Sequence, residues 1–283
     1  MVALPGDYSA SQVTNDSAVS GADVAAALDV LLSAVATTSV NAGSYPYIQP
    51  PAVPNAFDDE FSSGSPDLAV RGYTVINATT GVVQTRNGNL DVLGAGPPAG
   101  TYNSQLIGSW LYIQAPAGIQ LDIYKAITLA AGDTFAARIV GTYNLATGAN
   151  GRFNECGLYG AAGALLDNNN RVYATVRDDT TANYLIYDAA RVTGGALVGA
   201  AGRTASGGHD IRAIYTPSAT NGMTIFLDSQ SGEPKSATFA GAPALATLTR
   251  FAVRNLFSAS GSAVPQIFGI DFIRRKTGNA WLI

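Results

Sequence analysis

Apolar and polar positions follow two different periods along this chain, and the change of period divides it. Residues 1–19 are small and polar with no period and read as an extended arm. Ser20-Gly21-Ala22-Asp23 then gives a helix start signal, with Ser20 able to accept an early N–H and Asp23 suited to the positive helix end. The helix runs to about Thr37. Its apolar residues Val24, Leu28, Leu31 and Val35 are spaced four, three and four apart, an a/d seam. The flanking Ala25, Ala27, Leu32 and Ala34 carry no charge, so the apolar stripe is wider than a dimer needs. A helix this short is marginal alone in water and needs a partner. Three partners fit: its own β domain, two further copies in a parallel trimer, or a larger assembly. Pro46, Pro50, Pro51 and Pro54 follow within a short stretch and make a semi-rigid spacer, which favours association away from the β domain. The expected organisation is an arm and oligomerisation or anchoring helix over 1–40, a Pro-rich linker over 41–56, and one domain over 57–283.

From Phe57 onward the period is two. Short alternating segments are separated by Gly, Asn and Pro. Strands are expected at Arg71–Asn77, Val82–Arg86, Asn89–Leu93, Leu106–Gln114, Ile119–Leu129, Thr134–Thr142 and Glu155–Gly160. More are expected at Arg171–Arg177, Tyr184–Asp188, Asp210–Thr216, Met223–Ser229, Arg250–Phe257 and Ile267–Arg274. Asn87-Gly88 and Asn221-Gly222 read as hairpin turns. In Arg171–Arg177 the alternation puts Val172, Ala174 and Val176 on one face, while Ile267–Ile273 is almost continuously apolar. This density of strands without a longer repeat predicts an all-β, two-sheet jelly-roll sandwich.

Composition agrees and removes several chemistries. Charged residues are only 13% of the 283, with three lysines and three glutamates, whereas glycines number 31. One cysteine, Cys156, and one histidine, His209, exclude an internal disulfide and a multi-histidine metal site. A net charge of −4 gives no electrostatic footprint for nucleic acid. No apolar run is long enough for a transmembrane helix, and no signal peptide is expected. The charge is unevenly spread. Residues 1–70 hold eight acids and no Lys or Arg, whereas the remainder carries +4. The ends of the chain are therefore suited to different surroundings, or the front is simply a solvated acidic arm.

Phe57-Asp58-Asp59-Glu60-Phe61, followed by Leu68, Tyr73 and Asn87-Gly88-Asn89-Leu90, resembles the opening of concanavalin A-like lectin/glucanase jelly rolls. The strands ending in Arg138 and Arg177, the Ile211–Tyr215 strand, the Met223–Asp228 hairpin and the closing Ile270-Asp271-Phe272 keep that order, so the resemblance covers about 57–283. The fold it implies serves enzymes, lectins and structural modules alike. The whole chain also resembles tailed-bacteriophage virion proteins: an anchoring segment, a small helix, a Pro-rich hinge and a jelly-roll head. Trp110–Gly118 with Ile119–Lys125 looks like such phage jelly rolls. This implies a virion-located homotrimer, as head fibre, capsid decoration, tail fibre or spike. Residues 1–56 would contact other virion proteins, and the β domain would reach host-surface polysaccharide.

Glycosidases of this fold place Glu-x-Asp-x-x-Glu on one strand, so that two carboxylates face one groove. The nearest match is Gln120-Leu121-Asp122-Ile123-Tyr124-Lys125, in which only Asp122 remains. The expectation is therefore a non-enzyme, with a glycan-binding module as the alternative and a divergent glycoside hydrolase behind it. Trp110, Tyr112, Tyr159, Tyr184 and Tyr187 are the candidate sugar-stacking residues; their other reading is core or subunit interface. Calcium is a minor candidate at Asp167-Asn168-Asn169-Asn170 or Asp58-Asp59-Glu60, and no other cofactor is expected. Ser206-Gly207-Gly208-His209-Asp210 reads as a glycine turn, Cys156 as a buried inert thiol, and the apolar Trp281-Leu282-Ile283 end as a packed terminus.

Overall fold

The computed structural model describes residues 56–91, 96–140, 152–179, 184–206, 210–217, 223–228, 235–257 and 266–276. All lie within one compact unit spanning Ile48–Leu282. The helix seam of Val24, Leu28, Leu31, Leu32 and Val35, most of the linker, His209, the Asn221-Gly222 turn and the terminal Trp281 lie outside the described residues.

Strong alternation and scarce helix formers yield strands throughout the described residues: no α-helix is among them, only a 3-10 turn at Leu245–Thr247. The strands are β1 (Thr74–Asn77), β2 (Thr85–Gly88), β3 (Thr101–Ile107), β4 (Trp110–Ala115), β5 (Leu121–Ala126), β6 (Thr134–Val140), β7 (Arg152–Ala162) and β8 (Leu165–Asp179). They continue with β9 (Tyr184–Thr193), β10 (Ala196–Ser206), β11 (Asp210–Pro217), β12 (Met223–Asp228), β13 (Lys235–Phe239), β14 (Arg250–Phe257) and β15 (Gln266–Lys276). One sheet has seven strands in the order β1-β5-β14-β7-β8-β9-β10, and the other has eight in the order β13-β12-β11-β6-β15-β4-β3-β2. Every pairing is antiparallel except β2 with β3. The chain is a two-sheet jelly-roll sandwich.

The main core lies between the sheets. Ile123, Leu158, Val172 and Val253 meet Leu111, Ile113, Phe135, Ile139, Phe268 and Ile270, all essentially inaccessible to solvent. Val172 and Ala174 point inward as the alternation requires. Phe57 enters this core edge-on to Phe135 (5.5 Å) and Phe251 (6.1 Å), and Phe135 stacks on Phe251 at 5.4 Å. Cys156 is fully buried, and burial pushes its thiol up to about 12.

Several boundaries differ from expectation. Leu106–Gln114 is not one strand. Gly108, at φ +62°, turns the chain between β3 and β4, a conformation an L residue resists. Asn87-Gly88 is not a hairpin turn but the end of β2, paired in parallel to β3. β10 and β13 were not anticipated, because Ala196–Ser206 and Lys235–Phe239 carry little apolar alternation and sit at sheet edges.

Candidate functional site

The outer face of the seven-stranded sheet is unusual for a surface. Three cross-strand rows run over it. The first holds Ile76, Asp122, Arg254, Glu155 and Thr175 on β1, β5, β14, β7 and β8. The second holds Tyr124, Ala252, Gly157, Tyr173 and Ala190, and the third Arg250, Tyr159, Arg171 and Val192. Tyr124, Tyr159 and Tyr173 are buried there with Ile76, Leu166, Ala190 and Val192, a second small core.

Leu166 reaches this core because the β7–β8 hairpin folds back over its own sheet. The pairing jumps from Tyr159↔Arg171 to Gly160↔Asp167, leaving Asn168-Asn169-Asn170 as extra residues that bend the hairpin. Its tip is fastened by Arg250, whose Nη1 donates to the carbonyls of Ala164 (2.8 Å) and Leu165 (2.6 Å) and whose Nη2 donates to Gly163 (2.6 Å). The tip thus crosses β14 and β5 to reach Gly81, just beyond β1. Gly157 makes room for the crowded centre: a Cβ there would press on the Val172 carbonyl and lie 2.7 Å from Tyr173 Cα.

Beneath this roof Arg254 stands between two carboxylates. Its Nε donates to Asp122 Oδ1 at 2.7 Å, its Nη1 donates to Asn168 Oδ1 at 2.7 Å, and the same Nη1 is 3.6 Å from Glu155 Oε2. Glu155 Oε2 also accepts from Arg171 Nη1 (2.9 Å) and from the Tyr159 hydroxyl (2.8 Å). Asp122 is 0% exposed, and its Oδ2 has no hydrogen-bond partner among the described residues. Burial raises the Asp122 pKa above 3.8, and Arg254 opposes that rise. Burial likewise raises the Tyr159 hydroxyl well above 10.

A glycosidase needs two carboxylates about 5–9.5 Å apart with sugar or water between them. Here a guanidinium fills that place, so the arrangement provides charge balance within a closed face. Arg254, Glu155 and Arg171 were not singled out from sequence. The signal was the even parity of Arg250, Ala252 and Arg254 on β14, which puts the arginines opposite the core-facing Phe251 and Val253.

The five sugar-stacking candidates do not converge, and Tyr159 is excluded from that role because it is fully buried in the second core. Trp110 and Tyr112 lie on β4, on the outer face of the eight-stranded sheet; Tyr184 and Tyr187 lie on β9 in the other sheet. Trp110 and Tyr112 are both partly exposed, with ring centroids 6.3 Å apart at 32°. Arg138 Cζ sits 4.8 Å from the Trp110 ring centroid, and its Nη1 bonds Asp271 Oδ2 at 2.8 Å.

The calcium candidates are engaged otherwise. Asp59 pairs with Arg71 at 2.5 Å, Glu60 grips Arg274 through both oxygens at 2.5 Å, and Asp58 accepts the Arg275 N–H at 2.7 Å. Asp167 accepts from Asn169 N–H and Asn170 Nδ2, both at 2.8 Å. Among the described residues no group of three or more His, Cys, Asp or Glu could hold a metal.

No family model matches this sequence, and no curated protein does. Solved structures with a similar arrangement include the CBM2 module of Lactobacillus casei BL23 phage J-1 evolved Dit. It has a TM-score of 0.47 and 13% identity, over 78% of this chain and 94% of that one. A legume lectin-like domain from Entamoeba histolytica gives 0.46 at 9% identity, covering 80% and 98%. A β-1,3-glucanase from Mycobacterium marinum gives 0.45 at 18%, covering 80% and 100%. At these scores and identities, the binding and activity of those proteins remain theirs alone.

Proposed function

We propose that this chain is a non-catalytic structural protein of a tailed-bacteriophage particle, anchored through residues 1–56 and displaying the jelly-roll sandwich. The observation that carries this reading is the way the sandwich meets its tether. Directly after the Pro-rich linker, Phe57 plugs into the aromatic core. Asp59 exchanges two backbone hydrogen bonds with Ile273, both 2.8 Å, while Asp58 and Glu60 hold Arg275 and Arg274. Ile273 lies on β15 beyond the end of its pairing with β4, so Asp59 takes the open side of β15 while β6 holds the other. The first residues after the linker are therefore fastened at one place by ring contacts, main-chain pairing and carboxylate–arginine bonds, which suits a domain carried on a tether. Asp122 and Glu155, both tied to arginine beneath the hairpin, support the absence of catalysis.

The seam of Val24, Leu28, Leu31 and Val35, widened by Leu32, supports a homotrimer. Three copies of Leu28 and Leu31 on one axis would contribute on the order of ten kcal/mol. The location test is antibody labelling of the sandwich on purified particles. Label on particles is expected; protein found only free in lysate would refute the reading. Polysaccharide turnover abolished by Asp122→Asn would refute its non-catalytic part. For the seam, Leu28→Asp with Leu31→Asp should give monomers by light scattering with the β-sheet dichroism intact. An unchanged trimer would move the interface to the sandwich, and a monomeric wild type would leave the helix docking on another virion protein.

A further inference from the structure

We infer that the outer face of the eight-stranded sheet carries a binding platform for an uncharged polysaccharide, centred on Trp110 and Tyr112. This goes beyond the display role and stands independently of it. Both rings sit two residues apart on β4 and so emerge on one face. Both rings are partly exposed, with centroids 6.3 Å apart and planes inclined by 32°. Ile107, directly opposite Trp110 on β3, is 50% exposed and extends the apolar area. On the far side Gly269 pairs with Tyr112, so β15 raises no side chain beside that ring.

The polar groups around the rings select the ligand. Gln105 stands opposite Tyr112 and is partly exposed, bringing a planar amide with both donor and acceptor. Arg138 packs against the Trp110 ring and is neutralised by Asp271 at 2.8 Å. The guanidinium is thus held in place by its carboxylate, and the patch keeps donors and acceptors side by side without net charge. A pyranose ring offers the complement: an apolar C–H face for the indole and phenol, and equatorial hydroxyls that both donate and accept. An acidic polysaccharide would find the guanidinium already compensated by Asp271, and a purely apolar partner would cover the Gln105 amide without meeting its donor and acceptor. Beyond Tyr112 the same face is covered, since Gln114 and Asn103 are buried and Gln114 exchanges hydrogen bonds with the Asp91 main chain, so the platform is confined to Trp110, Tyr112, Gln105 and Ile107.

The test is affinity electrophoresis of the full-length protein in gels containing dextran, laminarin, galactomannan or arabinogalactan, with hyaluronan as the anionic control. Retardation by at least one of the four neutral polymers is expected. Trp110→Ala with Tyr112→Ala should weaken it about tenfold or more. Trp110→Phe and Tyr112→Phe, which keep a ring and guard against misfolding of the alanine variant, should lose less. Val82→Ser, at an exposed position before β2 outside the platform, should leave retardation unchanged. No retardation in any neutral gel, retardation by hyaluronan alone, or full retention in the double-alanine variant would overturn the inference. So would loss of self-association in that variant, which would identify the face as a contact between copies. Particle labelling of the double-alanine variant separates the two readings, since incorporation without binding retains display and binding without incorporation retains the platform.

Discussion

Replacing Arg254 by methionine keeps the length and apolar stem of the side chain but removes its charge. In the native protein the guanidinium is 2.7 Å from Asp122 Oδ1, 3.6 Å from Glu155 Oε2 and 2.7 Å from Asn168 Oδ1, with side-chain exposure of 5% for itself and 0% for Asp122. Glu155 keeps Arg171 and Tyr159, whereas Asp122 keeps no hydrogen-bonded side chain among the described residues and already has an unbonded Oδ2. Breaking one side of a buried ion pair costs about 3–5 kcal/mol, because the other charge is left uncompensated. For a domain of this size each kcal/mol moves the melting temperature by roughly 2–4 °C, so a fall of roughly 6–20 °C is expected. The pH dependence carries the diagnosis. Burial raises Asp122 above 3.8, and without Arg254 nothing comparable opposes the rise. Between 3.8 and the raised value the folded state binds more protons than the unfolded state, so stability increases as pH falls through that window. The deficit of Arg254→Met should therefore shrink from about pH 7 toward about pH 5. Adding Asp122→Asn should recover part of the loss, with a coupling of about 1–3 kcal/mol. Thermal melts followed by circular dichroism, with urea titrations at both pH values, give the numbers. A loss under about 1 kcal/mol at neutral pH, or a deficit that widens in acid, would refute the account of Arg254 as the charge balance of this face.

Gly157→Ala should cost about 3 kcal/mol in a urea titration, since the added methyl meets main chain at Val172 and Tyr173 that cannot swing away. Cys156, fully buried with its thiol pushed up to about 12, should resist aromatic disulfide reagents at about pH 8 in the native protein and react fully in guanidinium. A fragment of residues 57–283 should fold without the preceding segment, giving one cooperative melt. Aggregation of that fragment beside a soluble full chain would mean the first 56 residues complete its core.

The two-residue period from Phe57 onward was enough to read an all-β sandwich, because inward residues such as Val172, Ala174, Phe268 and Ile270 must be apolar wherever two sheets close on each other. The same rule hid β10 and β13, whose edge positions put little demand on their side chains. It also joined β3 to β4, since apolar residues flank Gly108 on both sides and only the backbone reversal there separates the strands. Asp122 stood out in the sequence as the remnant of a catalytic motif, but its partners did not. Arg254 follows it by 132 residues and Glu155 by 33, and they meet only because β5, β14 and β7 are neighbours in the sheet. The aromatic candidates show the complementary limit. Trp110 and Tyr112 share a face because they are two residues apart on one strand, a local fact readable from sequence. Whether Tyr184 and Tyr187 join them depends on which strands pair, and pairing places them in the opposite sheet. Local periodicity is thus set by backbone geometry within a few residues. The charge network and the grouping of surface aromatics depend on strand order, which distant segments settle together when they bury a common core.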